Sequence, residues 1–265
     1  MSKETRLSSK NVAEERLGET RMMNCGEIAF IVNYSCYNDI TVQFKATGEL
    51  VKTTYSCFKN GNVKSHFTPS VYGVGIIGNE KLKDENGETI KSYSVWQNML
   101  RRCCSDEFQK KYQTYKDCNV CEEWLNYSNF KKWYDKNYYE IDGERMDLDK
   151  DILVKGNKTY SPNTCVFVPQ NINKLFIKSN KSRGKYPIGV YFRKDANKYK
   201  ADCNIFYNGK RQYKYLGYYD NIEEAFNAYK EFKEADFKRV ADEYKDKIPY
   251  ELYEAMYNYK VEITD

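Results

Sequence analysis

The stretch that decides the fold of the C-terminal half is residues 186–230, YPIGVYFRKDANKYKADCNIFYNGKRQYKYLGYYDNIEEAFNAYK. Its first 35 residues alternate apolar or aromatic side chains with charged ones, which is the pattern of half-buried strands, and Asn208-Gly209 marks a tight turn. Glu223 and Glu224 then open a helical pattern, which Asp220 or Asn221 can cap. The stretch predicts three antiparallel strands followed by a long helix.

The same region concentrates the positive charge of the chain. Residues 174–214 hold 12 Lys or Arg and two Asp or Glu, whereas the whole 265-residue chain holds 43 basic and 38 acidic residues. Lys and Arg neutralise phosphates and release counterions, so a focused basic block on alternating strands is typical of a polyanion-binding surface.

Two groups of residues are the predicted contacts to a polyanion. The first lies on or beside the predicted sheet: Arg193, Lys194, Lys198, Tyr199, Lys200, Lys210 and Arg211. The second lies in a Ser-, Asn- and Gly-containing linker before the sheet: Lys178, Lys181, Arg183 and Lys185. A basic linker can track a phosphate backbone or enter a minor groove, and the alternative is a solvated connector.

The N-terminal part predicts a flexible tail at residues 1–13 and a small β module at 14–70. Strands are expected at 26–32, 39–44 and 49–55, since Ile40, Val42 and Phe44 alternate with polar residues. Short strands separated by Gly-containing turns favour a small antiparallel barrel that packs on a neighbour or a nucleic-acid backbone.

The middle of the chain, residues 71–178, predicts two helices and then a β-β-α unit. One helical pattern covers 93–103 and the other 122–134, with Trp96 and Trp124 on apolar faces that are expected in the core. Strands at 145–153 and 165–169 precede a helix that opens near Gln170.

Three carboxylates, Asp147, Asp149 and Asp151, alternate in the first of these strands and are expected on one face. Such a set could hold Mg²⁺ through water. The alternative is a solvated acidic edge, or ion pairs to Lys150 and Lys155.

The nine cysteines favour free thiols. Cys118 and Cys121 have the spacing of a zinc knuckle and Cys103-Cys104 lies upstream, but the spacing is irregular and His66 is the single histidine. Zinc remains the alternative reading of these cysteines.

The C-terminal segment closely resembles the plant ethylene-response-factor (APETALA-type) DNA-binding domain. The resemblance covers roughly 45 residues and rests on this series: Gly189-Val190, Lys200-Ala201, Leu216-Gly217-Tyr218-Tyr219-Asp220, Glu223-Glu224-Ala225 and Ala228-Tyr229. It implies a three-stranded sheet laid in the major groove of double-stranded DNA, with Arg193, Lys198, Lys200 and Arg211 facing the DNA. Tyr199 stands where the family pattern has Trp.

The middle segment resembles phage-encoded His-Asn-His (HNH) endonuclease-like proteins. This resemblance rests on Trp96, Met99-Leu100-Arg101-Arg102-Cys103, Val120-Cys121-Glu122-Glu123-Trp124, Phe130, Leu148-Asp149-Lys150-Asp151, Tyr160-Ser161-Pro162, Cys165 and Asn173. It implies a β-β-α unit that holds one divalent metal and a histidine base, often followed by an ethylene-response-factor-type domain. The N-terminal barrel resembles a module that is often fused to that pair.

The nuclease pattern is incomplete. Where active members of the family show Asp-His, this chain shows Asp149-Lys150, and a lysine is a poor base near neutral pH unless its pKa is strongly depressed. The candidate catalytic residues are Asp149, Lys150 and Asn173, and the candidate Mg²⁺ ligands are Asp149 and Asp151.

These observations predict a multidomain α+β protein with a small antiparallel β-barrel, a degenerate HNH-like β-β-α unit with flanking helices, and a three-stranded sheet with a helix that binds DNA. The predicted ranges are 1–13, 14–70, 71–178, 184–245 and a helical tail at 246–265. The expected function is DNA binding with a degenerate nuclease site. The alternatives are an active Mg²⁺-dependent endonuclease and a phage-encoded inhibitor that docks on a host protein.

The expected location is the host cytoplasm. The chain contains no run of 18 apolar residues, and its first ten residues are polar and charged. Oligomeric state cannot be read from the sequence.

Overall fold

The computed structural model describes residues 9–177, 185–207 and 210–265, and it combines helices with several small sheets. The chain divides into two compact units, Met1–Lys136 and Asn137–Asp265. This division falls inside the range 71–178 that the sequence predicts as one domain.

The first unit contains a short helix, a four-stranded sheet and a helical region. In chain order its elements are α1 (Ser9–Arg16), β1 (Thr20–Met22), β2 (Ile28–Cys36), β3 (Asp39–Phe44), β4 (Leu50–Thr53), α2 (Tyr55–Lys59), α3 (Lys91–Cys104), α4 (Asp106–Lys111), β5 (Asn119–Val120) and α5 (Tyr127–Asn137). Short 3-10 turns cover Gln113–Tyr115 and Glu122–Leu125.

The N-terminal sheet is an open antiparallel meander with the order β1-β2-β3-β4. A closed barrel was predicted, and within the described residues the order leaves β1 and β4 as the two edges, so that prediction is wrong. The predicted alternation is confirmed, because Ile40, Val42 and Phe44 are fully buried beneath Phe58. Strand β4 is shorter than predicted since the Thr54 hydroxyl caps α2 by accepting from the Cys57 amide.

The helical part of this unit has an aromatic core. Trp96, Met99 and Leu100 on α3 are buried as their spacing predicted, and the Trp96 indole donates to the Trp124 carbonyl at 2.7 Å. The ring of Trp124 meets Phe130 edge-on at 5.0 Å. Residues 122–125 form a 3-10 turn rather than the start of the predicted helix, and α5 follows it.

The second unit contains two small sheets and three helices among its described residues. In chain order its elements are β6 (Met146–Asp149), β7 (Thr159–Tyr160), β8 (Val166–Pro169), α6 (Gln170–Asn173), β9 (Val190–Arg193), β10 (Lys198–Tyr207), β11 (Lys210–Tyr219), α7 (Ile222–Tyr244) and α8 (Tyr250–Tyr257). Strands β6 and β8 pair antiparallel, and α6 is a single turn that continues as a 3-10 turn. The predicted strand–strand–helix order is therefore present, with a very short helix.

The three strands and the helix predicted from residues 186–230 are confirmed. The strands form an antiparallel sheet of order β11-β10-β9, and Asn221 caps α7 by accepting from the Glu224 amide at 2.8 Å. The long helix α7 is shared by two cores. Its first half packs on the sheet through Ala225, Phe226 and Tyr229, against Val190, Ala201, Cys203 and Ile205. Its second half packs through Phe237, Val240 and Ala241 on the β6–β8 region and on α8.

The segment after α8 crosses back over α7. The Val261 side chain is buried in the core of the sheet, and its carbonyl accepts from Lys230 at 2.7 Å. Asp265 is buried and pairs with Lys155, which follows β6, at 2.9 Å. The tail predicted as helical at 246–265 is helical in α8, whereas residues 259–265 are irregular and packed, with a turn at 263–264.

Candidate nucleic-acid interface

The β9–β11 sheet has one face on α7 and one face turned away from it. Because successive side chains of a strand point to opposite faces, burial of Ala201, Cys203 and Ile205 places Lys198, Lys200, Asp202 and Asn204 on the outer face. The pairing of β10 with β11 shifts by one residue between Ala201 and Asp202, where a bulge adds one residue to β11. Beyond the bulge, directly paired residues of the two strands again share a face.

The register arranges the outer face in four rows, because directly paired residues of antiparallel strands share a face. Arg193 pairs with Lys198 in the first row, and Tyr191, Lys200 and Tyr218 form the second. Asp202 pairs with Tyr215 in the third row, and Asn204 with Tyr213 in the fourth. Arg193, Lys198 and Lys200 therefore lie at one end of the face and the tyrosines in the second, third and fourth rows, and Arg211, which pairs with residue 206, follows beyond the fourth row.

The four tyrosines of this face were not among the predicted contact residues. Their exposed fractions are 54% for Tyr191, 53% for Tyr213, 53% for Tyr215 and 41% for Tyr218. The alternation of tyrosine and lysine at 213–215 was a visible signal. The bulge, however, shifts Tyr218 onto this face, and no sequence pattern indicates the bulge.

Tyr199 is a correction to the predicted contacts. It pairs with Phe192 and Tyr219 on the face toward α7, and its ring packs against Tyr186 at 5.7 Å and Phe192 at 5.1 Å. Tyr199 is the direct neighbour of Lys198 and Lys200 in β10. Its side chain therefore lies on the opposite face of the sheet, where it adds to the core.

Three of the predicted cations form ion pairs within the sheet module. Arg193 donates from Nε and Nη2 to the two carboxylate oxygens of Asp195, both at 2.9 Å, and Lys198 lies 3.0 Å from Asp220.

Lys200 lies 2.8 Å from Asp202, and hydrogen bonds to Asp202 and Tyr213 raise its pKa above the ordinary value. The Tyr213 hydroxyl also donates to Asp202 at 3.0 Å. The neighbouring carboxylates partly cancel the positive field of Arg193, Lys198 and Lys200.

The remaining predicted contacts are placed less completely. Lys194 and Arg211 are exposed, and the Lys185 ammonium lies 5.2 Å from the centre of the Tyr186 ring. Lys210 opens β11. Lys178, Lys181 and Arg183 lie outside the described residues.

The candidate nuclease residues lie around β6. The Lys150 side chain is buried, with its ammonium 3.6 Å from Asp151 and 5.7 Å from the centre of the Tyr160 ring. No described hydrogen bond links Asn173 to Asp149 or to Lys150. The Asn173 amide donates instead to Asp147 at 3.4 Å.

The three carboxylates that could have held Mg²⁺ do not gather, and Asp151 pairs with Lys150, as the alternative predicted. Strand β6 ends at Asp149, so Asp151 does not continue the alternation, and Asp147 turns to Arg145 at 3.2 Å. Asp149 Oδ1 accepts from the amides of Asp151 and Ile152. Burial and the adjacent Asp151 carboxyl raise the pKa of Asp149 to about 6. Only Asp149 and Asp151 come together, and their fit to Mg²⁺ is poor because a lysine ammonium lies beside them.

Other potential ligands are dispersed. All nine cysteines are free thiols, and His66 in the first unit lies 2.5 Å from Glu49. Across residues 9–177, 185–207 and 210–265, no three His, Cys, Asp or Glu side chains gather in a way that could hold a metal ion.

None of the helices in the described ranges is long and apolar enough to cross a membrane. Comparison of the chain with protein-family models, with curated proteins and with solved structures finds no match.

Proposed function

We propose that this chain is a DNA-binding protein that contacts DNA through the outer face of the β9–β11 sheet. The observation that carries the proposal is the row arrangement on that face, which brings Arg193, Lys198 and Lys200 to one end, four exposed tyrosines to the rows beside them and Arg211 to the far end. Cations that contact phosphates, together with aromatic and hydrogen-bonding groups that contact bases, are the two components of nucleic-acid recognition.

The proposal includes a nuclease-like β-β-α unit that does not cleave. In the resemblance to HNH proteins the base is a histidine, and here the corresponding Lys150 is buried beside Asp151 and Tyr160. An ammonium group has three donors and no acceptor, so it lacks the free nitrogen with which a histidine base takes a proton from water. DNA binding would then serve regulation or block another enzyme.

The first prediction concerns Arg193. In fluorescence anisotropy with labelled DNA, Arg193→Ala should weaken binding by about 1–3 kcal/mol at a preferred site if Arg193 contacts a guanine. An equal loss on a preferred site and on random DNA would place Arg193 on phosphate instead. The matched control is Lys132→Ala, which removes one exposed cation from α5 and should change the affinity little.

Preferred sites come from incubating the protein with fragmented phage and bacterial DNA and sequencing the retained fragments. Retention of shared sites supports the proposal, and binding that is unchanged in both variants at every salt concentration would contradict the role of the sheet face. Absence of any retained DNA would favour a protein partner.

The second candidate is Mg²⁺-dependent cleavage, favoured only by the adjacent carboxyls of Asp149 and Asp151. The same incubation with Mg²⁺ tests it. New DNA ends at a fixed offset from the retained site, lost in Asp149→Ala, would establish cleavage. Retained fragments without new ends would support binding alone.

A further inference from the structure

The tyrosines of the outer sheet face form an ordered platform. The Tyr213 ring is held by its hydroxyl, which donates to Asp202 at 3.0 Å, and by the Lys200 ammonium 5.1 Å from its centre. Tyr215 and Tyr218 meet edge to face with 5.6 Å between ring centres. Rings held in this way lose little conformational entropy when a ligand binds to them.

The spacing of the platform suits a chain of bases. Neighbouring strands lie about 4.8 Å apart and alternate residues of one strand roughly 7 Å apart, so the four tyrosines spread over the face instead of forming one pocket. Tyr191 and Tyr218 flank Lys200 in one row, and Tyr215 and Tyr213 follow along β11. A ligand that crosses these rows meets one ring after another.

Ion pairs weaken phosphate contacts at the end of the face that carries Arg193, Lys198 and Lys200. Arg193, Lys198 and Lys200 are each held by a carboxylate at 2.8–3.0 Å. A phosphate that approaches these cations must compete with Asp195, Asp220 or Asp202, which reduces the gain from counterion release. Half-exposed aromatic rings contribute stacking energy that salt does not screen.

From these observations we infer that the face binds DNA whose bases are unpaired, with bases stacked on Tyr191, Tyr213, Tyr215 and Tyr218 and the phosphates near Arg193 and Lys198. In a duplex the flat faces of the bases are covered by their neighbours, and a protein reaches only base edges in the grooves. Tyrosine rings can stack only on bases that have left the duplex. This inference rests on the proposed DNA-binding function and specifies the form of DNA.

The test uses the full-length protein and one labelled sequence in three forms: a single strand, a fully paired duplex, and a duplex with a central unpaired loop. We expect the single strand and the looped duplex to bind at least about tenfold more tightly than the paired duplex. Tyr215→Leu and Tyr218→Leu should each weaken binding to the single strand by about tenfold, without changing the slope of affinity against salt.

The variants keep apolar bulk on exposed strand positions, and the corresponding Phe variants keep the ring and should restore binding. Tyr250→Leu is the matched control, because Tyr250 is 69% exposed on α8 and lies outside the sheet.

The outcomes separate the two proposals. A paired duplex that binds as tightly as the looped one, or Leu variants that bind the single strand like wild type, would overturn the inference and leave DNA binding intact. Failure of all three forms to bind would overturn both.

Discussion

At the scale of single residues, three cations on the outer face of the sheet are held by carboxylates of the same module. The pair between Arg193 and Asp195 has the parallel two-bond geometry that a phosphate would also use. Asp195 and Asp220 are themselves exposed, so these pairs are readily exchanged in water and contribute little to folding. Their main consequence is electrostatic, because each carboxylate offsets part of the positive charge of the cation with which it pairs.

Asp149 illustrates how burial changes the chemistry of one residue. Its carboxyl accepts from two backbone amides but is desolvated and adjacent to Asp151, and desolvation is the larger effect on its pKa. The pKa rises from 3.8 to about 6, so the folded protein holds this proton more tightly than the unfolded chain does. The contribution of Asp149 to stability is therefore full below pH 3.8 and is lost as pH rises through about 6.

The second residue-scale prediction follows from that sign. Asp149→Asn keeps an oxygen that accepts from the two amides and removes the charge, so it should raise the free energy of unfolding above pH 6 by an amount on the order of 1–3 kcal/mol. It should also flatten the decline between pH 3.8 and about 6 relative to wild type. Urea unfolding across this range measures both effects.

Asp142→Asn, at an exposed carboxyl of the same unit, is the control and should leave the profile unchanged. A profile of Asp149→Asn that parallels wild type would show that Asp149 titrates at its ordinary pKa.

At the scale of elements, the entry into β9 depends on one glycine. Gly189 has φ of +76°, and a Cβ at this position would lie 2.0 Å from the ring of buried Tyr229. The glycine therefore serves two purposes: it permits the left-handed backbone, and it lets α7 approach the sheet. The close packing of α7 that buries Ala225 and Phe226 depends on this approach.

Gly189→Ala should accordingly destabilise the protein by about 2–5 kcal/mol, the sum of a left-handed alanine and an overpacked core. Gly143→Ala is a close match, because Gly143 has φ of +74° and open space around its would-be Cβ. It should cost about 1–2 kcal/mol. Thermal unfolding of both variants measures the difference, and equal losses would show that contact with Tyr229 is unimportant.

At the scale of the molecule, α7 makes the second unit a single structure. Its first half completes the core of the sheet and its second half the core around β8 and α8, while Val261 and Asp265 tie the last residues to both parts. Because this one helix of 23 residues packs in both cores, disruption of one core weakens the other. We therefore expect the sheet and the β6–β8 region to open together.

Phe237→Leu tests this cooperativity. Phe237 is buried on α7 away from the sheet, and its replacement should lower stability by about 1 kcal/mol and speed hydrogen exchange about fivefold in β10 as well as in β8. Hydrogen exchange followed by mass spectrometry gives both rates in one experiment. Val154→Ala, at a half-exposed position, should leave them unchanged. Faster exchange in β8 alone would show that the two cores open independently.

The sequence was sufficient for the local structure of this protein. Alternation placed the strands that became β3, β9, β10 and β11, helical spacing placed Trp96 and Trp124 in the core, and Asn221 was one of the two caps predicted for α7. These features depend on interactions between residues a few positions apart, which a sequence displays directly.

Tertiary structure alone decided which side chains share the outer face of the sheet and how the carboxylates around β6 are arranged. The bulge at Ala201 set which tyrosines accompany Lys200, and packing on α7 turned Tyr199 inward. The end of β6 at Asp149 separated Asp151 from the predicted alternation, and β1 and β4 stay at opposite edges of the N-terminal sheet, which is therefore an open meander where a barrel was predicted. These outcomes depend on pairing and burial between residues distant in sequence, where register and packing, and not composition, determine which side chains meet.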